Sequence, residues 1–137
     1  MKVFLDANVI LYYLTDRQPF ADDAELVVDF CASGGNVGVV TTLTVCNAVY
    51  VLAKVIGRHL AEEKIKELIN IVGLVGVVPE SISENLAATH VDFEDSVQQS
   101  EAVRWNADVI VTRDKRGFSE SPIPVYTPAD FVDKYVQ

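Results

Sequence analysis

The sequence predicts an α/β fold built on a mainly parallel sheet. Short apolar runs alternate with longer helical patterns along the whole chain, the arrangement that builds parallel sheets covered on both faces. The runs Val3–Leu5, Val37–Val40 and Val109–Val111 carry no charge, as strands buried on both sides do. Asp6 ends the first run and Asp114 lies just past the later one. In open α/β sheets that end of the strands borders the ligand crevice.

The elements are expected in the following order. Lys2 to Asp6 is a strand, followed directly by a helix from Ala7 to about Leu14. After the Asp16-Arg17-Gln18 loop, Pro19 suits the first turn of a second helix reaching Cys31, because proline lacks only an N–H that is unpaired there anyway. Gly34-Gly35-Asn36 is a turn, and Val37 to Val40 a second strand. Leu43 to Ile56 reads as a mostly buried helix ended by Gly57. Ala61 to Val72 is amphipathic, with Ile65, Leu68, Ile69 and Val72 on one face. Val75 to Val78 is a third strand stopped by Pro79, and Ser81 and Ser83 offer caps to a helix over Ile82 to about Ala88. A helix from Asp92 or Phe93 to Trp105 precedes a strand over Asp108 to Thr112. A short strand at Val125 and Tyr126 leads to Thr127-Pro128, which opens the last helix.

The 137 residues suit a single domain over 1–137. Half are hydrophobic and the mean hydropathy is +0.22, which supports a packed core and argues against disorder. No apolar run approaches a bilayer span, and Asp6 interrupts any secretory pattern at the N-terminus. A cytoplasmic protein without membrane contact is therefore expected, with Cys31 and Cys46 as buried free thiols. A net charge of −9 argues against nonspecific coating of nucleic acid. It leaves room for a nuclease whose metal faces the phosphate.

Candidate chemistry centres on carboxylates. Asp6 reads as a helix N-cap or as a metal ligand, and capping alone does not account for the other acids. Asn8 is a supporting group or a turn former. In Asp92-Phe93-Glu94-Asp95 the acids suit a first helical turn, or Asp95 points inward with Asp92 and Glu94 nearby. Gln98 and Gln99 are expected on the same face. Asp114 is a ligand, or part of a solvated loop, with Thr112 supporting it. Arg113, Lys115 and Arg116 surround it with positive charge, which suits a phosphate backbone approaching a metal. Acids gathered from distant segments repel one another, and hard oxygen ligands point to Mg²⁺ or Mn²⁺ as the ion that tolerates them. Asn47 is a satisfied core amide or a neutral group facing the crevice. His59 and His90 lack ligand spacing. No zinc pattern, phosphate-binding glycine loop or nucleophile elbow occurs.

The segments FLDANVILYYL, TLTVCNAVYVL, DFEDSVQQSEAV, DVIVTRDKRGF and IPVYTPADF resemble, in order, the pattern of PIN-domain proteins. They are most similar to the toxins of bacterial VapBC-type toxin–antitoxin pairs. The resemblance spans essentially the whole chain. It implies a three-layer α/β/α sandwich with a mainly parallel central sheet, a Mg²⁺- or Mn²⁺-dependent ribonuclease acting on RNA, a homodimer, and a small antitoxin partner. Asp6 matches the family's first acid, Asp95 the acid that opens the later helix, and Asp114 the polar position after the Thr of the fourth strand, and the resemblance implies these three as the catalytic, metal-holding set. Two departures stand out: Asn47 replaces a Glu common in relatives, and Gly117 replaces an acid before the position of Phe118. The competing reading is a catalytically weak or inactive PIN-like module that binds RNA or a protein. Phosphotransfer folds fit less well, because the run Asp6-Ala7-Asn8 lacks the second acid of Asp-x-Asp.

Overall fold

The structure, a computed structural model, describes residues 1–86 and 92–136. Among these the order is β1 (Lys2–Leu5), α1 (Ala7–Thr15), α2 (Ala21–Cys31), β2 (Val37–Thr41), α3 (Thr42–Ile56), α4 (Arg58–Leu68), β3 (Gly73–Val75), α5 (Pro79–Leu86), α6 (Phe93–Arg104), β4 (Val109–Val111), a 3₁₀ turn (Lys115–Phe118), β5 (Val125–Tyr126) and α7 (Pro128–Tyr135). The strands form one parallel sheet in the order β3-β2-β1-β4-β5. The chain winds outward from β1 to β3, then crosses back to β4 on the other side of β1. The C-terminal ends of β1 and β4 therefore flank a topological switch point, where α/β sheets open a crevice.

Strand residues alternate between two cores because side chains follow a period of two. Val3, Leu5, Val40, Val109 and Val111 face α1, α2 and α7 through Val9, Ile10, Ala24, Val27 and Phe131. Phe4, Val39 and Ile110 face the opposite layer, meeting Ala102 of α6 and Phe118. This is the expected three-layer sandwich. α2 lies so close to β2 that a Cβ at Gly38 would stand 2.6 Å from Cys31 Sγ.

Several helices begin on a strand's last residue or the one after it. Thr41 caps α3 by accepting the Thr44 N–H at 3.1 Å, and Thr127 caps α7 by accepting from Asp130 at 3.1 Å.

Some boundaries differ from expectation. Pro19 precedes α2, because the Arg17 carbonyl accepts the N–H groups of Phe20 and Ala21 in a separate turn. The third strand is Gly73–Val75, pairing with Val39–Thr41. Val77 and Val78 donate instead to Thr42 Oγ1 and Glu101 Oε1, at 3.3 Å each. α5 starts at Pro79, and Ser81 is not a cap: it is buried against Glu101. Ser83 does not cap either; its hydroxyl donates back to the Pro79 carbonyl at 3.2 Å. The expected end of that helix at Ala88, and His90, lie outside the described residues. α3 is not mostly buried. Only Thr44, Ala48 and Leu52 are covered, a four-residue period that leaves Tyr50 and Val55 in solvent. Both cysteines are free; Cys31 is buried but Cys46 is exposed. Burial pushes the Cys31 thiol up to about 12, so it is inert at neutral pH.

Candidate active site

Asp6 follows β1 and stays in the ladder, its N–H donating to the Val111 carbonyl of β4 at 3.0 Å. Its side chain faces the start of α1, where Oδ1 accepts the Ala7 N–H at 2.8 Å. Oδ2 accepts the Thr112 hydroxyl at 2.8 Å. Asp6 is only 4% exposed. Burial raises its pKa, the bonds from Thr112 and Ala7 lower it, and the charges of Glu94 and Asp114 raise it again. The capping reading is therefore correct but incomplete. Each carboxylate oxygen accepts one of these bonds, and a carboxylate offers about four lone-pair sites.

Thr112 links two of the acids. Its oxygen also accepts the Asp114 N–H at 3.1 Å, so its hydroxyl is held between both. Asp114 is exposed and caps the 3₁₀ turn, Oδ1 accepting the Arg116 N–H at 3.2 Å. Asn8 Oδ1 accepts the Arg113 N–H at 3.1 Å, tying the first turn of α1 to the segment after β4. Arg113, Lys115 and Arg116 are all exposed around this segment.

The third acid comes from α6. Asp92 caps this helix, Oδ1 accepting the Asp95 N–H at 2.9 Å. The Asp95 side chain is half-buried against the 3₁₀ turn, where a Cβ on Gly117 would lie 1.9 Å from Asp95 Oδ2. Burial, then the charges of Asp6, Asp92, Asp114 and Glu94, push its carboxyl up to about 7. Asn47 is half-buried and donates from Nδ2 to Glu94 Oε1 at 3.2 Å. It faces an acid of this cluster rather than the core.

The raised Asp95 makes metal-free stability depend on pH. Between an ordinary carboxyl value of 3.8 and about 7, the native state binds more protons than the unfolded chain. Stability from this group is present at low pH and is lost as pH rises through that window. With chelator present, melts of Asp95→Asn and wild type should therefore diverge in the variant's favour between these limits. Parallel pH profiles would show that Asp95 does not sit among like charges.

The donors are all hard oxygens, and among the described residues no ion pair neutralises Asp6, Asp95 or Asp114. That composition fits a divalent cation. Among the described residues, however, no three of His, Cys, Asp and Glu are arranged to close on one ion. Asp6 is anchored at both oxygens, whereas Asp95 and Asp114 are less buried and freer to turn.

Of the two glutamines expected beside Asp95, Gln98 is fully buried and donates to Thr44 Oγ1 at 2.6 Å, while its Oε1 has no partner among the described residues. Gln99 does not join Asp95; it borders a shallow cavity with Glu84, Ser100 and Arg104. Glu101 is buried against Ser81, with Arg104 Nε at 3.8 Å. Its only sequence sign is a charge inside the Val97–Ala102 buried stripe.

The fold is shared with solved toxin–antitoxin proteins. A DNA-bound VapBC from Salmonella typhimurium has a chain similar at a TM-score of 0.71 and 17% identity, covering 93% of this chain and 98% of that one. FitAcB from Neisseria gonorrhoeae is similar at 0.70 and 14%, with the same coverage of 93% and 98%. VapC20 from Mycobacterium tuberculosis, described as a sarcin-ricin loop cleaving toxin, is similar at 0.67 and 11%, covering 86% of this chain and 94% of that one. Among curated proteins none matches the sequence. The PIN domain family model matches residues 2–116, a span from β1 through the segment after β4 that includes Asp6, Asp95 and Asp114. The chain is a member of the PIN domain family.

Proposed function

We propose that the protein is a Mg²⁺- or Mn²⁺-dependent endoribonuclease that hydrolyses RNA phosphodiester bonds, and the toxin of a toxin–antitoxin pair. The observation that carries the reading is the acid cluster at the switch point, where burial and then the charges of Asp6, Asp92, Asp114 and Glu94 raise Asp95. Such mutual repulsion is relieved by a cation. A divalent ion held by Asp6, Asp95 and Asp114 would supply Lewis-acid charge and a more acidic bound water.

The chain's own groups do the rest. The Ala7 N–H and the Thr112 hydroxyl hold Asp6 in one orientation, so little reorganisation is needed when substrate arrives. Arg113, Lys115 and Arg116 offer positive charge beside the acids for the phosphates on either side of the scissile bond. The antitoxin, homodimer and cytoplasmic assignments rest on similarity to toxin–antitoxin assemblies. No helix among the described residues is long and apolar enough to cross a membrane. Cleavage of single-stranded RNA with Mn²⁺, abolished by chelator, tests the reading. Cleavage of duplex DNA with none of RNA would overturn the substrate.

A metal that binds only the native state raises its stability by mass action, by about 2.7 kcal/mol at a hundredfold excess over Kd. Millimolar Mn²⁺ should raise the melting temperature, and equal melts at all metal concentrations would remove the metal site.

No three of the acids are arranged to close on one ion among the described residues, which, with Asn47 and Gly117 in place of acids, favours a second reading: a catalytically weak module that binds RNA or a protein. Asn47→Glu separates the two. The new carboxylate would face Glu94, now 3.2 Å from Asn47 Nδ2. If a cation binds there, Mn²⁺ affinity tightens and cleavage is kept or raised. Without one, two facing carboxylates destabilise the fold whether or not metal is added. Calorimetric Mn²⁺ titration of both proteins, alongside melts, checks this.

A further inference from the structure

Two arginines, Arg113 beside the acid crevice and Arg17 in the loop after α1, are held by aromatic rings instead of carboxylates. The Arg113 guanidinium lies 3.6 Å from the Phe20 ring centre and 6.0 Å from that of Tyr12. Arg17 lies 5.5 Å from the Tyr12 ring centre. Tyr12 and Phe20 themselves pack at 4.9 Å. Among the described residues neither Arg17 nor Arg113 forms an ion pair, although the chain has 20 acids against 11 Lys and Arg. Stacking on a ring fixes a guanidinium plane while leaving its N–H edge free for an anion.

A cavity of about 480 Å³ opens next to this stack, lined by Asn8, Leu11, Tyr12, Thr15, Arg17 and Val51. None of these residues is acidic. The volume falls within the range of about 300–1,000 Å³ usual for small-molecule pockets. Asn8 lines it and also accepts the Arg113 N–H at 3.1 Å, so the cavity adjoins the segment that carries Asp114. A ring wall, an aliphatic wall and an uncompensated cation are what an unstacked base with its phosphate requires.

We propose that this cavity is a subsite for one unpaired nucleobase of the RNA strand, with Tyr12 as the stacking wall and Arg17 and Arg113 on the neighbouring phosphates. The proposal rests on the ribonuclease reading for its substrate. It adds that the enzyme requires a single-stranded, base-bearing position at a set distance from the cleaved bond.

The test uses a single-stranded RNA oligomer in which abasic residues replace successive nucleotides around the cleavage site. Cleavage is followed with Mn²⁺, and binding separately by anisotropy on the Asp6→Asn variant. In wild type one abasic position should raise KM about tenfold, the loss of one base–aromatic stack, with kcat nearly unchanged. Tyr12→Leu should raise KM for intact RNA by a similar factor and erase the penalty at that position. Arg17→Gln, at an exposed site, should also raise KM and not kcat; it carries the test if Tyr12→Leu yields little folded protein. Cleavage with no position-specific penalty, or a penalty unchanged in Tyr12→Leu, would overturn the subsite and leave the nuclease standing. Full RNA binding by both variants would overturn it in favour of a protein occupant. A Tyr12-dependent penalty in binding without any cleavage would keep the subsite and remove the nuclease. No RNA binding at all would remove both.

Discussion

Asp6→Asn is expected to lower metal-dependent RNA cleavage by about a hundredfold or more, the loss of several kcal/mol of charge stabilisation at the phosphate. Asp6 is the acid held most firmly, bonded at both oxygens and nearly buried. The substitution preserves size and a capping oxygen for the Ala7 N–H, since Asn caps as well as Asp does. It removes one negative charge from the cluster. Without metal the variant should therefore melt close to wild type, within about 1 kcal/mol of stability, the scale of one altered hydrogen bond to Thr112. With Mn²⁺ it should gain less than wild type does. Cleavage rates and paired melts with and without metal check both halves. If cleavage falls less than tenfold, Asp6 is a cap and nothing more.

Gly117→Ala is the second large effect. A Cβ at residue 117 would stand 1.9 Å from Asp95 Oδ2, 2.8 Å from its Cγ and 3.1 Å from its Cβ. The carboxylate must swing away, because the last two atoms leave no room for a small adjustment. Asp95 is only half-buried, so it has solvent to swing into and the fold should survive. Under the proposed function, removing Asp95 from its neighbours would cost the site a ligand, so cleavage and Mn²⁺ affinity should each fall at least tenfold. Displacement by about 1 Å is enough to lose that much in a positioned site. Glycine here also bears on the missing acid before Phe118. A longer side chain at 117 would compete with Asp95 for the same space, so restoring the acid alone is expected to damage the site. A Gly117→Asp protein that binds Mn²⁺ more tightly than wild type would show that the two acids can share it.

Much of the fold was legible in the chain because it depends on short-range rules. Buried strands show as uncharged apolar runs, and helices start where Asp6, Asp92 and Thr127 offer side-chain oxygens. Those rules need only a few neighbouring residues. The strand and burial differences fell where a distant partner decides. β3 took Gly73–Val75 because pairing with β2 satisfies those backbone groups, while Glu101, from a helix far along the chain, took the Val78 N–H. Cys46, Tyr50 and Val55 looked like core because they are apolar. α3 has one covered stripe, and which stripe is covered depends on what packs against it.

The candidate site divides the same way. By itself the sequence determined that Asp6 and Asp114 follow strand ends and that Asp95 lies in the first turn of a helix, since those placements are local. The tertiary structure alone decided that β4 pairs beside β1, which brings Thr112 within 2.8 Å of Asp6 across 106 residues. It also decided that Gly117 abuts Asp95, that Asn47 faces Glu94, and that Arg113 stacks on Phe20. Each is a contact between segments that share no local pattern. Their geometry follows from strand order and layer packing, which are set by the burial of the whole chain and not by any one stretch of it.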